Sequence, residues 1–385
     1  MAQQRLIWFL ACAVLGNQAV RSPFPGTIDQ HPAINYATRI ATDRVARARG
    51  DLKFEVTSGY LRSVLAALEI PVESQVLIFS KTGVQQAYTT PRTPRALYFS
   101  QDVYVGYIPG APLIEVASHD PELGVVFYTL NQDARTPPVF ERQERCLSCH
   151  LSSNSLDVPG LLVRSMFTSD DGRTRPQLGS FLIDHRSPLD NRWGGWYVTG
   201  THGAMKHMGQ AMNTTALDPG VDSSFYPAAT SDIPALLVFD HQGRMINLIT
   251  RLGWETRIAE DETRLDFSQG ELRDLVSEFV DYLLFVDEAP LTSPVQGVSG
   301  FAKIFAATGP RDRQGRSLRD LDLNTRLLRY PCSYMIYSAA FDGMPEAARA
   351  AVYQRMREVL QQKPPEDRIA ITEILAETKP GFSRP

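Results

Sequence analysis

The chain has 385 residues, 43% hydrophobic and 21% charged, an ordinary globular balance long enough for two or three domains' worth of core or one large one. The net charge of −4, a pI near 6.0 and the lack of any basic block exclude nucleic acid as the main partner. They also leave no single-sign field strong enough to steer a charged partner.

At the N-terminus, Arg5 precedes an apolar run from Leu6 to Gly16, with small residues at Gly16 and Ala19. A short basic start, an apolar stretch and small residues after it are the pattern of a secretory signal. Residues 1–22 are therefore expected to be a signal peptide, and the mature chain to be periplasmic or otherwise exported. The run is too short to span a bilayer as a helix, so membrane contact is expected only if this segment is retained. Leu10-Ala11 before Cys12 has the look of a lipobox, but only five apolar residues separate Arg5 from Ala11, too few for that signal.

Next, Ile34, Ala37, Ile40, Ala41 and Val45 recur at helical spacing and predict a helix over 33–48, ending at Gly50. A second helix is predicted over Tyr60–Leu68, stopped by Pro71. From Val76 the pattern shortens. Val76–Ser80, Ala96–Ser100, Val103–Ile108, Leu113–Ser118 and Val125–Leu130 are β-branched or aromatic runs divided by turn residues such as Pro109-Gly110. Short links favour antiparallel pairing, so residues 76–132 predict a small sheet.

A polar stretch, 133–160, follows, and inside it lies Cys146-Leu147-Ser148-Cys149-His150. Two thiols two residues apart can add to the two vinyl groups of one porphyrin, and the next imidazole can reach its iron. A zinc half-site also uses Cys-x-x-Cys, but a closed site needs four ligands and only Cys332 and scattered histidines could complete one. A thioredoxin-type pair needs the motif at the start of a helix after a strand, whereas Pro137-Pro138 and a charged run from Glu141 to Arg145 come before it. At these five residues the chain resembles the c-type cytochromes. The resemblance implies one covalently attached haem c, with Cys146 and Cys149 as its thioether attachments and His150 as an iron ligand. In that family the haem is attached after export, which agrees with the N-terminus. It does not extend to a compact class I cytochrome, because that fold puts a helix before the motif and little else. Cys332 is then unpaired, and its aromatic surroundings make it a buried structural thiol.

Leu161–Phe167 and Gly179–Ile183 predict two more strands around Asp170-Asp171-Gly172. The stretch 193–212 crowds Trp193, Trp196, His202, Met205, His207 and Met208 together. It is the place to seek a second axial ligand for the iron, because imidazole and thioether both bind it. His207 is the first choice, with Met208 and His202 behind it, and the tryptophans are expected to line the porphyrin. His241 is the rival ligand, on a helix predicted from Asp232 as N-cap across 233–258. Ser268-Gln269-Gly270-Glu271 has the form of a capping box before an apolar stripe from Leu272 to Leu284. Helices are also predicted at Phe301–Ala307, Tyr334–Phe341, Glu346–Leu360 and 365–377. His31, His119 and His185 have no local company.

The expected fold class is α+β: a small antiparallel sheet in the N-terminal half with a haem-binding loop, and a largely helical C-terminal half. The expected division is a mixed haem-binding region, 23–232, and a helical region, 233–385, packed on it. The expected function is one-electron transfer to redox partner proteins by an exported monohaem cytochrome. The alternative is a haem enzyme or sensor of peroxide or nitric oxide, with an open distal iron.

Overall fold

A computed structural model describes residues 28–48, 51–212, 217 and 220–382; the expected signal peptide and Cys12 lie outside the described residues. The fold is α+β, with a six-stranded antiparallel sheet in the N-terminal half and a mostly helical C-terminal half. The strands are β1 (Val76–Ile78), β2 (Arg95–Phe99), β3 (Val103–Tyr107), β4 (Leu113–Asp120), β5 (Gly124–Asn131) and β6 (Phe140–Arg142), and each pairs with the next. The first five match the sequence expectation to within two residues. The sixth sits in the stretch read as a polar loop; Phe140–Arg142 alternates too briefly to signal a strand, yet it closes the edge of β5.

Both faces of this sheet are covered, which is why β3 is buried along its whole length. One face packs Val105, Tyr107, Val126 and Tyr128 against α2 (Leu61–Ala67) and the irregular segment before it. That segment overturns the helix predicted at 33–48. Only α1 (Arg44–Arg47) is helical there, Asn35 takes a left-handed φ of 48°, and Ile40 is 90% exposed. Tertiary bonds win over periodicity: Tyr36 Oη donates to the Val125 carbonyl, and Arg142 donates to the Tyr36 and Arg39 carbonyls.

The other face packs Phe99, Tyr104, Ala117 and Phe127 against the long helix α4 (Ile233–Asp261). Between them in sequence come α3 (Leu147–His150), the hairpin β7 (Arg164–Met166) and β8 (Ser180–Leu182), and the parallel pair β9 (Tyr197–Val198) and β10 (Gln210–Ala211). At 29 residues α4 is about 43 Å long by its rise per residue, and nearly all of it is buried. A helix buried all round must find partners for each polar side chain it carries. Asp232 precedes it, but its carboxylate does not cap it. It accepts instead from the backbone N–H groups of Val298 and Ser299 and the Ser299 hydroxyl, tying a distant loop to the helix start.

Five further helices complete the chain: α5 (Gly270–Leu283), α6 (Phe301–Ala307), α7 (Ala339–Asp342), α8 (Glu346–Leu360) and α9 (Pro365–Thr378). Leu272, Leu275, Val276, Phe279, Val280 and Leu283 form the buried stripe of α5, as their spacing predicts. The capping box does not form, because Ser268 turns its hydroxyl to Asp266 and the helix starts one residue later than the motif requires. The segment read as one helix over Tyr334–Phe341 is a 3₁₀ turn at Tyr334–Tyr337 followed by α7, broken where Ser338 caps the second piece. A single apolar cluster runs from the sheet through α4 to α5, α8 and α9, so residues on both sides of position 232 share one core.

Candidate functional site

The Cys-x-x-Cys-His segment follows β6 through a 3₁₀ turn at Glu144–Cys146 and forms the single turn of α3. It lies over the α4-facing side of the sheet and borders a cavity of about 430 Å³, within the range of small-molecule and cofactor sites. Cys146, Cys149 and His150 line one wall, and Leu97, Ala117, Phe127, Leu161, Leu162 and Phe239 supply much of the rest. Polar atoms enter from Arg95, Tyr104, Glu115 and Arg145. Cys146 is half-buried and Cys149 exposed, both as free thiols. Burial pushes the Cys146 thiol pKa up.

His150 is held with one tautomer. Its Nδ1 lies 2.9 Å from the Gly160 carbonyl, and a carbonyl can only accept, so the proton is on Nδ1 and the Nε2 lone pair is left for a ligand. The Phe127 ring packs against the imidazole at 4.8 Å. Burial lowers the His150 pKa, which favours the neutral, ligand-competent ring.

The carbonyl that orients His150 is itself fixed. Asn247, on α4, accepts from the Leu161 N–H and donates to the Leu161 carbonyl, both at 2.8 Å. A Cβ at Gly160 would come within 2.3 Å of the Asn247 side-chain oxygen, so only glycine lets the loop approach the helix here. Ser155 donates to the His150 carbonyl and pairs with Ser152 in a capping box around the turn after α3. On the opposite wall, Glu115 accepts from Gln85 at 3.1 Å and sits 3.8 Å from the Arg95 guanidinium. None of Gly160, Asn247, Arg95 and Glu115 was legible as a site residue. Asn247 alone carries a signal, as an amide inside an apolar helix.

The other sequence candidates lie elsewhere. His207, Met208, His202 and His241 are not among the residues that line the cavity, so the structure does not bring the first-choice second ligand to His150. His207 packs against the His202 ring at 4.7 Å and the Trp193 ring at 5.4 Å. Trp193 and Trp196 do not line the cavity either; they are core. Trp193 donates to Asp240 at 3.0 Å and Trp196 to the Arg164 carbonyl at 2.8 Å. The two glycines between them are there for backbone contact. Gly195 accepts from the N–H groups of Phe79 and Ser80 with a φ of +84°, and a Cβ on Gly194 would meet the Met166 carbonyl at 2.6 Å.

His241 belongs to a closed polar centre instead. Its Nδ1 is 2.8 Å from Nδ1 of His185, and its Nε2 is 2.7 Å from the Ser333 hydroxyl. Phe285 stacks on both rings and Tyr282 donates to the His241 carbonyl. Burial holds both imidazoles neutral, with His241 down to about 3. Beside them, buried Asp240 meets Arg192 at 3.2 Å, and burial outweighs that cation in pushing the Asp240 pKa up to about 7. Cys332 is fully buried, and burial drives its thiol pKa far up.

Among the described residues no helix is long and apolar enough to cross a membrane, and no group of three or more His, Cys, Asp or Glu is gathered that could hold a metal ion. No known family, characterised protein or solved structure matches the chain.

Proposed function

We propose that the chain carries one haem c, attached through Cys146 and Cys149 with His150 as an iron ligand, and that it performs one-electron transfer outside the cytoplasm. The single observation that carries the reading is the joint placement of two thiols and a singly protonated imidazole on the wall of one largely apolar cavity. The donor set fits the group. The thiols suit thioether attachment, Nε2 of His150 suits iron, the aliphatic and aromatic wall suits a porphyrin face, and Arg95 and Arg145 offer cations to its carboxylates. Once bound, the haem would supply a one-electron iron couple. The chain's own part is to fix the imidazole through Gly160 and Asn247, keep bulk water off the ring, and set the local charge through Arg95 and Glu115.

One observation favours a second reading, a haem enzyme or small-ligand sensor. Among the described residues that line the cavity, His150 is the one imidazole, and no methionine joins it. An iron held from one side only would have a coordination position open to peroxide or nitric oxide, with Glu115 and Tyr104 the nearby protic groups.

The test is the visible spectrum of protein matured in a compartment with a working haem-attachment system. A covalently bound, haem-stained chain with a c-type spectrum is expected. A colourless product, or a mass without an added tetrapyrrole, overturns the proposal. A low-spin spectrum indifferent to cyanide and carbon monoxide selects the electron carrier, and a ligand-responsive high-spin one selects the second reading.

A further inference from the structure

We propose that His202 and His207 form a second metal site, separate from the porphyrin, that takes monovalent copper. Both ring nitrogens of His207 are shielded from solvent, and apart from a loose contact with the Gly209 backbone neither finds a partner among the described residues. A neutral imidazole carries one donor and one acceptor, and sealing the acceptor without a partner costs free energy that a bound ligand would recover.

His202 is prepared in the way ligating histidines usually are. Its Nδ1 donates to the Met205 carbonyl at 2.7 Å, which fixes the proton there and leaves the Nε2 lone pair. The two rings meet edge to face at 4.7 Å between centroids and 67° between planes, too close for a linear site. Two thioethers belong to the same segment. The Met208 sulfur accepts from Ser165 at 3.6 Å, and the Met205 sulfur from the Thr292 N–H at 3.3 Å.

The choice of metal follows from the donors. No cluster of three or more His, Cys, Asp or Glu is gathered among the described residues, so no carboxylate or thiolate set accompanies the pair. Structural zinc asks for four such ligands, and calcium and magnesium for oxygen ligands. Imidazole with thioether at low coordination number is the preference of copper in its reduced state.

The experiment uses the haem-loaded protein, in which Cys146 and Cys149 are alkylated by the cofactor and cannot compete for copper. It is incubated anaerobically with copper(I), desalted, and titrated against a chromophoric copper(I) chelator. One equivalent retained is expected, abolished in His207→Ala and in His207→Gln, and weakened about 10–100-fold in Met205→Leu. The visible spectrum of the haem and the melting temperature should be unchanged in His207→Gln. Retention of no copper, equal retention by the variants, or preference for zinc(II) overturns the site. A changed haem spin state in His207→Gln also overturns it, because His207 then serves the iron. If the chain proves to carry no haem, the titration in Cys146→Ser/Cys149→Ser decides the copper site independently: the equivalent should persist there and still vanish with His207.

Discussion

Two histidine-bearing regions of this molecule are built from the same parts and do opposite things. Around the cavity, His150 gives its Nδ1 proton to a backbone carbonyl and keeps Nε2 for a ligand, with two free thiols beside it. On the far side of α4, His241 engages both ring nitrogens inside the protein, one with His185 and one with Ser333. The Ser333–His241–His185 sequence has the order of a nucleophile, its base and the group that orients the base. Ser333 is fully buried, so no substrate reaches it, and the arrangement holds the core together. A reactive site differs from a structural network less in its residue types than in whether an atom of it is left facing space.

The sharpest way to break this comparison is to remove the two thiols. Cys146→Ser/Cys149→Ser should abolish covalent haem attachment completely, read by haem staining and mass. Thermal unfolding of the haem-free wild-type and variant chains should nearly coincide, because neither cysteine is fully buried. The closed centre should behave in the reverse way. Arg192→Met strips the Ser187 and His185 carbonyls of their donor and leaves Asp240 to take up a proton in the core, and the expected cost is about 2–4 kcal/mol in denaturant unfolding. Smaller is Asn247→Ala, which frees the Leu161 backbone amide and carbonyl and should cost about 1–3 kcal/mol. It also loosens the carbonyl that orients His150, so the spectrum of the haem-loaded variant should shift while that of His241→Gln should not.

The contrast also explains what was legible in the sequence. The Cys-x-x-Cys-His cluster on the cavity wall is readable because it is local: five consecutive residues hold both thiols and the imidazole. Strands β1–β5 are readable because short β-branched runs alternate with turn residues, and α6 and α8 because Phe301, Phe305, Val352, Met356 and Leu360 all end in one core. The region 33–48 misled because its helical spacing has no matching burial, with Ile40 facing solvent. His185 and His241, 56 residues apart, were unreadable as a pair, since nothing in either neighbourhood encodes the other. The same holds for Glu115, which reads as an unremarkable strand residue until β2 and β3 bring Arg95 and Tyr104 onto its face.

The smallest expected effect is in the pH dependence of stability, where buried groups oppose one another. Burial lowers His119 and His207 to about 4 and His241 to about 3, so between pH 6.5 and 4.5 the unfolded chain binds protons there that the folded chain refuses. Their contribution to stability is full above 6.5 and is lost as the pH falls. Burial raises Asp240 and Glu288 to about 7, so in the same window the folded chain holds protons that the unfolded chain releases. Their contribution is full below the unfolded carboxylate range and is lost as the pH rises toward 7. Burial lowers His185 and His150 in the same sense, so imidazoles outnumber the two carboxyls and stability falls toward acid. Asp240→Asn removes one opposing group and should steepen that slope by up to about 1.4 kcal/mol per pH unit in urea unfolding between pH 4.5 and 6.5. An unchanged slope would mean that Arg192 keeps Asp240 ionised throughout, and that the closed centre is an ion pair at every pH in this window.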